Sequence, residues 1–275
     1  MFASFLLSVR EGIEAALIIG IVLGALRKMN RLEMVSTVWY GALSALLVSM
    51  VTGIFLTAFG LALEGSAEQI FEGVTMLLAA GILTWMVFWM NGQARYLKGE
   101  LEAGVNHAAS SGGKRALFGL AFLAVVREGI ELAVFLSAVT FATDPVSTIW
   151  GALLGLGAAV LLGWGMFAST IRLNLQRFFQ ITSFVLILFA AGLVAHAVHE
   201  FNEVNWIPAV IEHVWDINAF LDENSTFGLM LKALFGYNGN PSLTEVLAYL
   251  AYYITILLGL RRVSRPAKTP VRQNS

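Results

Sequence analysis

The chain has no cysteine. Disulfide cross-links, thiolate metal sites and thiol redox chemistry are therefore excluded. It is also short of charge: 13% of its 275 residues are Asp, Glu, Lys or Arg, against about 25% in an average globular protein. Too few charged side chains remain to cover a water-facing surface, and they are bunched. A net charge of -1, with no basic domain, excludes a nucleic-acid binder. A disordered chain is excluded by the 58% of residues that are hydrophobic. No G-x-x-x-x-G-K-[ST] loop occurs, and Gly112-Gly113-Lys114-Arg115 is only a short basic loop, so the chain carries no ATP-driven motor of that type. What is present is long apolar runs, and these predict a polytopic, all-α membrane protein.

A transmembrane helix needs about 20 mostly apolar residues. Seven stretches meet that length, near 3–26, 36–60, 70–90, 117–140, 148–169, 179–200 and 243–260. They read as helices rather than barrel strands because the runs are long and do not alternate. The first is a span and not a cleavable signal, since Arg10, Glu11 and Glu14 interrupt it and no basic residue precedes it. Of the 17 Lys and Arg residues, fourteen fall in the loops after spans one, three and five and in the tail. On the opposite side lies Lys232 alone, and Arg10 and Arg127 lie inside spans. This asymmetry predicts an outer N-terminus and a cytoplasmic C-terminus. The outer side is acidic, with Glu64, Glu68, Asp144 and the segment 201–242, which holds Glu203, Glu212, Asp216, Asp222, Glu223 and His213. That segment is either a solvated loop or a cation-collecting vestibule. Its apolar residues Trp206, Ile207, Val210, Ile211, Val214 and Trp215 predict a short surface helix.

The sequence repeats. Val9-Arg10-Glu11-Gly12-Ile13-Glu14 recurs letter for letter as Val126-Arg127-Glu128-Gly129-Ile130-Glu131. Gly41-Ala42-Leu43 matches Gly151-Ala152-Leu153, and Ala79-Ala80-Gly81 matches Ala190-Ala191-Gly192. The offsets are 117, 110 and 111 residues. Each copy holds three spans, so the second copy enters the membrane from the other side, as an inverted repeat. The expected organisation is a single transmembrane domain. Repeat one covers about 1–91, repeat two about 116–200, a periplasmic loop about 201–242, a seventh helix about 243–260, and a cytoplasmic tail 261–275. Arg127 lies 12 residues past Arg115, about 18 Å along a helix, which places the motif deep in a core about 30 Å thick.

Within R-E-G-I-E, residues three and four apart share a helix face. Glu11 and Glu14 point one way together, as do Glu128 and Glu131. Charge at mid-membrane costs a few kcal/mol per group, and six charged groups are set there. Ion pairs of Arg10 with Glu14 and Arg127 with Glu131 leave Glu11 and Glu128 uncompensated. Four carboxylates against two guanidiniums leave two negative charges, which must be protonated or hold a cation. The donors are all oxygen, which favours hard cations such as Mg, Ca, Mn or ferric iron. Two further clusters stand on the outer side. Glu68 and Glu72, one turn apart at the start of span three, are either dipole-complementing residues or an entry site. His196, His199 and Glu200 close span six at metal-ligand spacing, or simply pack there. Trp85, Trp89, Trp150 and Trp164 read as packing or interfacial aromatics, and His107 as a solvated loop residue.

At the doubled motif the chain resembles the oxidase-dependent, high-affinity iron permease family. It looks most like the bacterial branch, which includes the permease subunit of the Efe iron uptake system. The resemblance rests on 10–14 and 127–131. It extends to Glu68-Gln69-Ile70-Phe71-Glu72-Gly73, Leu83-Thr84-Trp85-Met86-Val87-Phe88-Trp89-Met90, Ile171-Arg172-Leu173-Asn174-Leu175 and Ala190-Ala191-Gly192-Leu193. It implies import of ferric iron across the cytoplasmic (inner) membrane through seven spans. Glu11, Glu14, Glu128 and Glu131 would be iron ligands along the path, with Arg10 and Arg127 beside them. It also implies partners: a periplasmic iron-binding protein and a haem peroxidase or another ferroxidase. Iron would be cargo, not a resident cofactor, and the chain would be no enzyme. Two competing readings are a transporter of a divalent cation (ferrous iron, lead or manganese) and an intramembrane metal-dependent redox protein. The latter lacks the Glu-x-x-His pair of di-iron bundles.

Overall fold

A computed structural model describes residues 1–93, 97–108, 113–168, 175–223 and 225–263. The expected cytoplasmic residues Arg95, Arg172, Arg265, Lys268 and Arg272 lie outside them, as do residues 171–174 of one family-like stretch. The described residues form helices joined by turns and loops, without strands. The helices are α1 (Phe2–Lys28), α2 (Val35–Leu61), α3 (Ser66–Gln93), α4 (Leu97–His107), α5 (Gly113–Ala142), α6 (Pro145–Ala168), α7 (Leu175–Glu203), α8 (Thr226–Phe235) and α9 (Leu243–Val263).

Helix ends follow local chemistry. Arg27 and Lys28 close α1 and complement its dipole, and Asn30 leaves it at a φ of 58°. Asp144 caps α6 by accepting from the Ser147 amide at 2.8 Å, with Pro145 in the first helical position, where no amide donor is needed. Ser242 and Glu245 form a capping box at α9: Ser242 Oγ accepts from the Glu245 amide at 3.2 Å, and Glu245 Oε1 accepts from the Ser242 amide at 3.1 Å.

Five helices are long and apolar enough to cross a membrane: α2, α3, α6, α7 and α9. The other two long helices, α1 with 27 residues and α5 with 30, carry the R-E-G-I-E charges in their middles. Large apolar side chains such as Val51, Ile54 and Phe55 on α2 and Val160, Leu161 and Trp164 on α6 face outward. A bare apolar surface of this extent suits lipid, not water. The chain is an integral membrane protein.

The helices pair in a pattern. α1 packs along α6, α5 packs along α2, α3 packs along α7, and α1 crosses α5. The close approaches repeat in detail. Gly12 abuts Ala159 and Gly129 abuts Ser49; Gly151 abuts Ser4 and Gly41 abuts Ala121. Shifting α1 residues by 117 and α2 residues by 110 converts each contact into its counterpart. A core of Leu7, Met76, Ala79, Leu83, Phe135, Leu186, Phe189 and Ala190 sits where α1, α3, α5 and α7 meet.

Two expectations about loops are corrected. Residues 206–215 form no helix; the surface helix is α8, at 226–235. Pro208 has no amide to donate, and Asn205 and Val210 take φ of 58° and 63°, which a helix forbids. Their stretch is instead clipped to the start of α9, with the Val214 amide bonded to Pro241 O and the Leu243 amide to Ile211 O, each at 3.0 Å. His107, expected in a solvated loop, is exposed at the end of a helix, α4.

Candidate cation site between two motif helices

Where α1 crosses α5, the two motifs meet. Glu11, Glu128 and Glu131 each bring a carboxylate oxygen within 4.8 Å of the others. No other group of three His, Asp or Glu residues comes so close among the described residues. All three residues are buried, at 1%, 6% and 8% exposure. Glu14 lies one turn on, within electrostatic reach of Glu131 and Arg127.

The motif glycines seat a further helix against each motif helix. Each motif glycine lies where a second helix presses on the motif helix. A side chain at Gly12 would strike Ala159 of α6, and one at Gly129 would strike Ser49 of α2. Only a residue without Cβ lets those helices come that near.

The arginines compensate part of the charge. Arg10 donates to Glu11 Oε1 at 2.9 Å and lies 3.2 Å from Glu14 Oε1. Glu11 is therefore paired, unlike in the sequence reading, which gave Arg10 to Glu14 alone. Arg127 donates through Nε to Glu131 Oε1 at 3.0 Å and lies 4.0 Å from Glu128 Oε1. Even so, Glu11 Oε2, Glu128 Oε2 and Glu131 Oε2 are buried without a hydrogen-bond partner. Buried carboxylate oxygens left bare are costly. Oxygen–metal bonds run about 2.0–2.6 Å, so small side-chain rotations would close this triangle on a hard cation.

Helix α3 contributes Trp85 and Trp89, expected as packing or interfacial aromatics, and Met86, which the sequence did not single out. Met86 Sδ accepts from Arg10 at 3.0 Å. The guanidinium carbon of Arg127 lies 4.8 Å from the Trp89 ring centre and 6.0 Å from that of Trp85. A signal was available: two tryptophans four apart on one helix, in a chain whose only cations within spans are Arg10 and Arg127.

The secondary clusters sit elsewhere. Glu68 and Glu72, both half-buried on α3, lie within electrostatic reach of Glu200 on α7, and Gln69 donates to Glu203 at 2.7 Å. His196 turns its Nδ1 back toward Gly192 O at 3.1 Å. His199 sits between two carboxylates, with Nδ1 3.1 Å from Glu245 Oε1 and Nε2 3.4 Å from Glu203 Oε1. Glu245, which the sequence reading did not single out, also accepts from Asn238 at 2.9 Å. His199 thus ties α7 to the capping box of α9.

Comparison with known proteins adds the following. The model of the iron permease FTR1 family matches residues 1–263. The chain is 37% identical over 277 residues to the ferrous iron permease EfeU of Shigella sonnei (strain Ss046), covering 99% of each protein. The same figures hold for EfeU of Escherichia coli O157:H7. With EfeU of Yersinia pestis it shares 34% over 260 residues, 94% of this chain and 92% of that protein. No solved structure matches the chain.

Proposed function

The chain belongs to the iron permease FTR1 family, a family of transporters and not enzymes, and we propose that it imports iron across the cytoplasmic membrane through the carboxylate site between α1 and α5. The observation that carries this reading is the triad Glu11, Glu128 and Glu131, with three buried oxygens lacking hydrogen-bond partners amid apolar helices. Such a group is expensive unless a cation neutralises it. The family is one of iron permeases, and the EfeU relatives are named for iron.

Seven spans complete the reading, with α1 and α5 crossing the membrane alongside the five apolar helices. Their carboxylates are buried beside one another and the two arginines, which lowers the cost of burial. The exchange of contacts under the repeat offsets supports an inverted repeat, and the basic loops support an outer N-terminus and a cytoplasmic C-terminus. Glu68 and Glu72 form the entry, with Glu200 close by, and iron is delivered there by a periplasmic iron-binding protein and a ferroxidase such as a haem peroxidase. An inside-negative potential of 100 mV supplies about 2.3 kcal/mol per charge to an entering cation.

The all-oxygen donor set favours ferric iron on passage. A second reading, ferrous iron, is favoured by the names of the EfeU relatives, ferrous iron permeases. One experiment tests both: uptake of radiolabelled iron into proteoliposomes holding this chain alone, offered as ferric citrate or as anaerobic ferrous iron. Uptake of one form, lost in Glu11→Gln and Glu128→Gln, supports the path and identifies the ion. Uptake unchanged in both variants returns the motif to a structural role.

A further inference from the structure

The two motif arginines are the same residue in the same six-letter context, yet they are held differently. Arg10 is fully buried and tied to Glu11, Glu14 and Met86. Arg127 has 38% of its side chain exposed and lies between two kinds of partner. On one side are Glu131 and Glu128. On the other is the face of Trp89, with Trp85 behind it.

We propose that Arg127 is an exchangeable counter-ion, and that Trp85 and Trp89 are positioning residues that receive its guanidinium when a cation takes Glu128 and Glu131. The inference rests on the triad being the cation site. A cation bound to Glu128 and Glu131 claims the lone pairs that Arg127 uses, and it repels the guanidinium. Among apolar helices a guanidinium leaving its carboxylates needs another partner. An indole face is the best neutral one, through its quadrupole, and the planar, weakly hydrated guanidinium stacks there better than an ammonium does. Trp85 and Trp89 are four apart, so they share one face of α3. That face is already in place: the guanidinium lies 4.8 Å from Trp89 while still bonded to Glu131 at 3.0 Å. Release requires a small swing, not a rebuilt site. Through Met86 the same turn of α3 also touches Arg10, so one helix outside the motif contacts both charges that compete with the cargo.

The test is the iron dependence of ferric citrate uptake in proteoliposomes, for wild type, Trp89→Leu, Trp89→Phe and Arg127→Lys. Trp89→Leu should raise the half-saturating iron concentration about 3–10-fold while the maximal rate changes less than about twofold. Trp89→Phe, which keeps an aromatic face, should return it to within about twofold of wild type. Arg127→Lys should resemble Trp89→Leu. Iron should also change tryptophan fluorescence in wild type, and by less in Trp89→Phe. A wild-type half-saturation in Trp89→Leu overturns the proposal. So does an equal loss of maximal rate in the Leu and Phe variants with half-saturation unmoved, which marks packing. If Trp89→Leu does not fold, Trp85→Leu replaces it: at 58% exposure Trp85 is cheap to change, and half-saturation should rise about twofold. Undiminished uptake in Glu128→Gln would instead refute the cation site itself.

Discussion

Arg10 donates to Glu11 at 2.9 Å, although the two are adjacent on α1. Neighbours in a helix normally point to different faces. The long arginine side chain spans that angle because Glu11, Glu14 and Met86 surround its buried guanidinium. Both charges are buried, at 0% and 1% exposure. Removing one member of a buried pair strands the other, which typically costs about 3–5 kcal/mol.

Arg10→Gln should therefore cost stability of that order, read as a large drop in the thermal midpoint of the detergent-purified protein. Arg127→Gln should cost less, because the Arg127 side chain is 38% exposed whereas that of Arg10 is fully buried. Equal losses would show that the asymmetry has no energetic meaning.

Glu11→Gln, Glu128→Gln and Glu131→Gln each keep the shape of the side chain and remove one charge. Each should lower iron uptake at least about tenfold, as removing a charge-assisted ligand costs about 1.5–3 kcal/mol. Glu11→Gln leaves Arg10 paired with Glu14, so beside Arg10→Gln it separates transport from folding: uptake falls in a protein that still runs as one species on size exclusion.

Gly192 of α7 meets the backbone of Gly236, which caps α8 at a φ of 65°. A side chain at Gly192 would lie 2.5 Å from the Gly236 nitrogen, and backbone cannot swing aside. Gly192→Ala should destabilise by about 1–3 kcal/mol, whereas Gly81→Ala, the repeat equivalent with open space beside it, should be neutral or slightly stabilising through helix propensity. Paired thermal unfolding curves decide.

If transport rocks one repeat against the other, positions near Glu11 and near Glu128 should change accessibility in opposite senses. The cysteine-free chain permits single-cysteine labelling without background. Labelling that is unchanged between iron-loaded and iron-free membranes would count against rocking.

Glu245→Gln should loosen the join between α7 and α9, since its carboxylate accepts from the Ser242 amide, Asn238 and His199. Hydrogen exchange should rise at 238–246 and at the end of α7, while amides around Glu11 and Glu128 stay as protected as in wild type.

The sequence by itself determined the helices and the chemistry of the motif. Apolar runs of membrane length have one low-energy backbone state in lipid, because every amide must bond within its own segment. The expected stretches accordingly fall within α1, α2, α3, α5, α6, α7 and α9, apart from residue 169, which lies outside the described residues. The doubled motif was legible because charge is conspicuous against apolar residues. Segment 201–242 was legible only in part: hydrophobic residues at 206–215 suggested a helix, but the backbone turns at Asn205 and Val210 and the bonds to residues 239–243 are tertiary choices. Tertiary structure alone decided which carboxylates meet. Residues three or four apart give each helix its acidic face, but only the crossing of α1 and α5 joins Glu11 to Glu128 and Glu131 while leaving Glu14 to one side. It also brought Trp89 over Arg127 and His199 to Glu245. Helical periodicity fixes directions around one axis, whereas the distance between side chains on different helices depends on how closely the backbones approach.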